Sequence, residues 1–354
     1  MRFWEHPKYK EDIEKIMEMP LPWERLRGKK ILITGAAGMI GSCLIDTLLG
    51  LDKRMGISCE VWAAGRTKVK LEYRFIQYQN DPRLHILVCD VNEKLSADLF
   101  PQGLDYIFHL ASNTHPVAYA SDPIGTVTTN IIGTNNLLEL AAEIKAERFV
   151  FASSVEVYGE NRGDQERFTE DYCGYIDCNT MRAGYPESKR AGEALCQAYI
   201  RQKGVDIVIP RLSRTYGPSV LKTDTKAISQ FILKGTARED IVLKSEGTQL
   251  YSYSYAADSV GGLLWAFFKG ECGEAYNIAD EASDITLKDL AVIIAENAGT
   301  KVVFDLPDAV EQAGYSKATK AMMDSQKLQG LGWHALFDMK AGLERTLEVL
   351  REAE

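Results

Sequence analysis

From Lys29 onward, short runs of apolar and β-branched residues alternate with longer amphipathic stretches. Ile31–Thr34, Cys59–Ala64, Leu84–Cys89, Tyr106–Leu110, Arg148–Ser153 and Asp206–Arg211 read as strands. Met39–Leu49, Gly125–Lys145 and Tyr185–Lys203 read as the helices between them. Strands that are apolar throughout need cover on both faces, which a parallel sheet between two helix layers provides. The right-handed crossover rule turns this order into a doubly wound α/β sheet.

After Tyr216-Gly217-Pro218 the rhythm changes. Helices at Lys226–Lys234, Ala257–Lys269 and Leu287–Ala298 and a turn-rich stretch at Ser245–Thr248 follow, with fewer strands. The division expected is a helical extension over residues 1–28 (helix Glu11–Met19, stopped by Pro20-Leu21-Pro22), a dinucleotide-binding domain over 29–216, and a smaller mixed α/β substrate domain over 217–354 with possible return segments to the first. The extension is expected to pack on the main body.

Composition narrows the function classes. Over 354 residues, 41 basic against 50 acidic side chains give a net charge of −9, which disfavours a nucleic-acid binder. No apolar stretch reaches the ~20 residues of a membrane span, and the charged, aromatic start Met1–His6 does not resemble a signal peptide. Seven scattered cysteines, an odd number, point to reduced thiols and a cytoplasmic setting. Cys173 and Cys178 lack the companions that a zinc site needs, so no metal is expected.

The first strand runs into Thr34-Gly35-Ala36-Ala37-Gly38-Met39-Ile40-Gly41, which opens the first helix. Gly35 permits the tight turn, Gly38 lets backbone approach a pyrophosphate, and Gly41 lets helix and strand pack closely. The cofactor-binding candidates are Gly35, Ala37, Gly38, Met39, Ile40, Arg66, Asp90, Val91, Leu110, Ala111 and Ser112, together with Tyr185 and Lys189. The acid that would read a ribose 2′-hydroxyl after the second strand is replaced by Gly65-Arg66. An arginine suits a 2′-phosphate, so the cofactor is NADP or NAD with the balance toward NADP.

Tyr185-Pro186-Glu187-Ser188-Lys189 puts a phenol and an ammonium one turn apart on a helix. Sixteen tyrosines make such a pair unremarkable alone, and Tyr199 and Lys203 repeat it as a decoy. The distinguishing context of Tyr185 is its place at a helix start, downstream of Ser153-Ser154 at the end of a buried strand. A phenol has a pKa near ~10, and a neighbouring Lys⁺ would lower it toward use as a base. Ser154 would orient the substrate hydroxyl while its hydride leaves.

Through these residues the chain resembles an extended short-chain dehydrogenase/reductase of the NAD-dependent epimerase/dehydratase group, a resemblance that implies a Rossmann fold for the first domain. The resemblance rests on Thr34–Gly41, Asp90, His109–Ala111, Asn130 with Gly133-Thr134, Ser154–Gly159, Tyr185–Lys189, Arg211–Pro218 and Tyr255–Asp258. It implies transient oxidation of a sugar carbon, chemistry on the ketone, return of the hydride, a nucleotide-sugar substrate and a homodimer. Glu156 stands where similar dehydratases and glucuronate decarboxylases carry a glutamate, and is the candidate second base at carbon 5. Dehydratases also carry an aspartic acid where this chain has Val155, so epimerisation or decarboxylation is expected in preference to 4,6-dehydration.

Arg182-Ala183-Gly184-Tyr185, Lys189-Arg190, Tyr119 and Pro123-Ile124 look most like the decarboxylases. Three phosphate-facing positions depart from that pattern: Tyr251 stands for an Arg, Arg214 for an Asn and Ser219 for an Arg. The substrate-binding candidates are Asn113, His115, Ser154, Arg182, Arg214, Gln230 and Tyr251; the catalytic ones are Ser154, Glu156, Tyr185 and Lys189. His109 reads as structural, and Trp265, Phe267 and Phe268 as core. The competing readings are an NADPH-dependent reductase of a non-nucleotide carbonyl and a non-catalytic NAD(P)-sensing protein.

Overall fold

The computed structural model describes residues 1–114, 121–305 and 319–353. Its centre is an eight-stranded sheet built from β1 (Lys30–Thr34), β2 (Glu60–Gly65), β3 (Leu84–Val88), β4 (Tyr106–His109), β5 (Arg148–Phe151), β6 (Ser153–Ser154), β7 (Ile207–Leu212) and β11 (Ala275–Ile278). The order β3-β2-β1-β4-β5-β7-β11, with β6 beside β7, is parallel throughout. The order reverses between β1 and β4, and a ligand crevice opens at the carboxyl ends of strands at such a reversal. This is the doubly wound Rossmann architecture. Ile31, Leu32 and Ile33 are fully buried, as helix layers on both faces require.

The remaining strands are β8 (Arg214–Tyr216), β9 (Ile241–Leu243), β10 (Leu250–Tyr255), β12 (Asp284–Thr286), β13 (Val302–Phe304) and β14 (Lys320–Ala321). β10 pairs with β8 and β14 in parallel and with β12 antiparallel; β9 and β13 form a separate pair. The second half is therefore richer in strands than its sequence pattern suggests. These strands have two to six residues, too short for period-two alternation to emerge. Tyr251, Tyr253 and Tyr255 are all buried on one face of β10, and Ser252 and Ser254 on the other, so the strand is covered on both sides. β11 returns to the edge of the large sheet, and the Ala256–Lys269 helix is buried along nearly its whole length.

The expected helix at Gly125–Lys145 is interrupted. Asp122 caps a short Pro123–Thr128 helix, a π turn follows over Thr129–Gly133, and Thr134–Ile144 is α-helical. A Cβ on Gly133 would come within 2.7 Å of Val91 Cγ2, so this turn lies against the chain after β3.

The extension forms a Pro7–Met17 helix, which starts earlier than expected because His6 Nδ1 accepts from the Lys8 amide and Pro7 fits the first turn. Tyr9 donates to Asp46 at 2.6 Å, and Arg74 donates to both Asp46 and Tyr9. Three residues on, Asp12 accepts from Tyr255 at 2.6 Å and from Arg345 at 2.7 Å. One short helix thus ties the Met39–Met55 helix, β10 and the Met339–Glu352 helix together.

Candidate active site

The turn after β1 has the shape its glycines predict. Gly35 has φ +68°, and a Cβ there would lie 2.8 Å from the Ala111 nitrogen and the Leu110 carbonyl. A Cβ on Gly41 would meet the Gly35 oxygen at 2.6 Å. Gly38 is the N-cap of the Met39–Met55 helix, and no side chain caps it. The result is a bare helix N-terminus at the sheet reversal, which fits a dinucleotide pyrophosphate. Ala37, Met39 and Ile40 lie on this turn and helix start, and Leu110, Ala111 and Ser112 on the chain leaving β4.

Asp90 turns the chain after β3, accepting from the Asn92 amide at 2.9 Å, and Val91 beside it is buried. Arg66 follows β2, is exposed and reaches Asn113 Oδ1 at 3.4 Å, a long contact that leaves its guanidinium available. His109 Nδ1 faces Thr34 at 2.9 Å and Nε2 faces Thr134 at 3.1 Å, with the pKa pushed down to about 3 by burial and by the Lys189 charge. A neutral imidazole held at both nitrogens is a structural tie. His115 and Tyr119 lie outside the described residues.

Tyr185 and Lys189 stand one turn apart in the Gly184–Lys203 helix, both buried. The Tyr185 phenol has hydrogen bonds with Ser154 and Ser112, and Glu156 lies close enough for its charge to act on it. Burial is the largest influence and pushes the phenol up to about 12; Glu156 adds to this and the two serines oppose it. Lys189 is not among the groups that act on this phenol, so the lowering expected from it is absent here and desolvation of the phenolate sets the direction. Lys189 donates to the Ala152 carbonyl at 2.8 Å and lies 4.9 Å from the centre of the Phe151 ring. Desolvation lowers its pKa to about 8.

Tyr199, the decoy, donates to Asn135 at 3.0 Å and to Glu139, so its hydroxyl is engaged against the Thr134–Ile144 helix, about four turns further along than Tyr185. A cavity of ≈ 240 Å³ next to Tyr185 is lined by Pro123, Thr126, Val127, Cys178, Thr180 and Gly184. The exposed Cys178 thus belongs to a loop beside the phenol, and Arg190 anchors that loop by bonding the Gly174 and Val157 carbonyls at 2.7 Å each.

Glu156 sits in the 3₁₀ turn Val155–Tyr158, and its own amide donates to Ser154 Oγ at 3.3 Å. Arg214 Nη2 lies 3.6 Å from Glu156 Oε1, and its guanidinium is 3.8 Å from the centre of the Tyr251 ring. The charge of Arg182, exposed in the Met181–Ala183 turn, also acts on the Tyr251 phenol. Glu156, Arg182, Arg214 and Tyr251 therefore share one corner. Gln230 gives its side-chain amide to the Asp224 carbonyl.

The sequence reading missed a polar chain behind the phenol. Ser112 donates to Asn130 at 2.8 Å, Asn130 to Ser188 at 2.9 Å, and Ser188 to the Tyr185 carbonyl at 2.8 Å. Asn130 is fully buried inside the π turn. Turns of this kind often mark functional sites, but Asn130 falls within a run that reads as plain helix. A second network, Arg211 with Glu193 and Tyr158 with Asn277, braces β7 against the same helix.

The family model for the NAD-dependent epimerase/dehydratase family matches residues 31–279. The chain belongs to this family. UDP-glucuronic acid decarboxylase 6 of Arabidopsis thaliana is 32% identical over 320 residues, covering 89% of this chain and 86% of that protein. UDP-glucuronic acid decarboxylase 1 of Danio rerio is 32% identical over 327 residues, covering 92% and 74%. Among solved structures, a dTDP-glucose 4,6-dehydratase double mutant from Streptomyces venezuelae, with NAD and DAU bound, superposes with TM-score 0.77 at 25% identity, covering 91% and 97%. This member of the epimerase/dehydratase family is thus an enzyme of the short-chain dehydrogenase type that works with a nicotinamide dinucleotide. No helix among the described residues is long and apolar enough to cross a membrane.

Proposed function

We propose that this enzyme oxidises carbon 4 of a nucleotide-linked uronic acid, removes the carboxyl group from the resulting ketone, and returns the hydride. The observation that carries this reading is the Tyr185 phenol bonded to Ser154, with Glu156 beside it and a bare helix N-terminus at the sheet reversal. The chain-long likeness to UDP-glucuronic acid decarboxylases supports the sugar.

When bound, the oxidised dinucleotide supplies a hydride acceptor and a positive charge beside the phenol. Tyr185 Oη removes the proton from the carbon-4 hydroxyl, which Ser154 Oγ holds in line. The ketone then stands β to the carboxylate. The bond between carbons 5 and 6 breaks, its electron pair enters the enolate, and carbon dioxide leaves. Ser154 and the protonated Tyr185 donate to the enolate oxygen, and Glu156 delivers a solvent-derived proton to carbon 5. Tyr185 returns its proton as carbon 4 is reduced.

Arg66 and the missing acid after β2 support NADP over NAD. The exposed Ile124 and Ile132, beside the Gly184–Lys203 helix, support a homodimer. Seven free thiols, three of them exposed, support a cytoplasmic site.

The test is incubation with UDP-glucuronate in deuterated water, with mass spectrometry of product and of dinucleotide released from the protein. One deuterium at carbon 5, loss of carbon dioxide and no net redox change are expected. Net consumption of NADPH would identify a reductase instead, and product without solvent deuterium would remove the role given to Glu156.

A further inference from the structure

Arg214 stands on β8, and its backbone pairs with Tyr253 on β10, two residues beyond Tyr251. Its guanidinium is propped on the Tyr251 ring at 3.8 Å. The nearest carboxylate oxygen, Glu156 Oε1, is 3.6 Å from Nη2, beyond hydrogen-bond length. The side chain is only 22% exposed, and Nη1 is shut away from solvent with no partner among the described residues. A guanidinium offers five donors in a fixed fork. Leaving one nitrogen of such a group covered and unpartnered, with only a long ion pair at another, is unfavourable, and an acceptor that arrives with a ligand removes the imbalance.

The position says which acceptor. Glu156 follows Ser154 by two residues, and Ser154 bonds the Tyr185 phenol. On the reading proposed above, the phenol addresses carbon 4 of the sugar and Glu156 addresses carbon 5. A guanidinium next to Glu156 then faces the substituent on carbon 5, which is carbon 6. The diphosphate is attached at carbon 1, across the ring from carbon 4. Arg182 brings a second positive charge to the same corner.

We propose that Arg214 is the specificity-determining residue of this site, its guanidinium binding the carboxylate at carbon 6 of the sugar. The inference rests on the nucleotide-uronate reading, and the shared chemistry to be resolved is an oxyanion, on the sugar or in the diphosphate.

The test is calorimetric titration of the dinucleotide-loaded protein with UDP-glucuronate, UDP-glucose and UDP, in wild type, Arg214→Met and Arg214→Lys, with dinucleotide retention as the folding check. Wild type should prefer UDP-glucuronate to UDP-glucose by about tenfold or more. Arg214→Met should erase that preference while UDP binding changes less than about threefold, and Arg214→Lys should keep part of it. Equal weakening of all three ligands in Arg214→Met would place Arg214 on the diphosphate and overturn the proposal, as would an undiminished preference. Wild-type protein that binds none of the three would instead overturn the nucleotide-sugar reading itself.

Discussion

Lys189 donates from Nζ to the carbonyl oxygen of Ala152 over 2.8 Å, tying the helix that carries Tyr185 to the chain just beyond β5. The ammonium is buried, and desolvation draws its pKa from 10.5 to about 8. Below pH 8 both folded and unfolded chains hold the proton, and the burial penalty is fully present. Between pH 8 and 10.5 the unfolded chain holds more protons, so this group makes stability rise with pH. Urea unfolding of wild type and Lys189→Met should therefore show wild type gaining on the order of 3 kcal/mol relative to the variant across that window. A pH-independent difference would mean that Lys189 does not titrate in the pocket.

Tyr185→Phe should lower turnover about 10²–10⁴-fold, the usual contribution of a positioned acid–base group. Bound dinucleotide, read by absorbance after heat release, should be unchanged. Tyr199→Phe is the control: it has the same spacing to a lysine, but its hydroxyl is engaged with Asn135 and Glu139. It should keep turnover within about threefold, since it removes only part-buried contacts to Asn135 and Glu139, away from the Tyr185 phenol.

Asn130→Ala severs Ser112 from Ser188 and leaves both hydroxyls short of a partner behind the phenol. The expected result is a fall in kcat of about tenfold or more with KM changed far less, because the lost restraint acts on the orientation of Tyr185. Steady-state kinetics check this; a change confined to KM would assign Asn130 to substrate binding.

Asp46→Ala leaves Arg74, 6% exposed, as an unpaired buried charge. Loss of such a partner costs about 3–5 kcal/mol, visible as a lowered midpoint in urea. Arg74→Met combined with Asp46→Ala should recover much of it, because the aromatic rings of Phe3, Trp4 and Phe75 around the guanidinium would accept an apolar chain.

The large sheet was legible because its strands are apolar on both faces, so each appears as a short run between helices. The glycine turn was equally plain, since Gly35 and Gly41 lie where backbone leaves no room for a Cβ. Three features escaped for physical reasons. The π turn keeps helical composition while changing the hydrogen-bond register. The small strands around β10 depend on partners distant in the chain, Arg214–Tyr216, Asp284–Thr286 and Lys320–Ala321. The Tyr185 environment depends on how completely the pocket excludes solvent, which spacing along a helix does not report.

The wide turn at Thr129–Gly133 means that this stretch holds slack that a regular coil lacks. A one-residue deletion there would be absorbed locally, leaving the downstream turns of Thr134–Ile144 facing their old neighbours. The same deletion anywhere in Thr134–Ile144 would rotate everything after it by about 100°. Sequence length in this segment should therefore vary at the bulge alone, and each shortening there would withdraw the amide that joins Ser112 to Ser188.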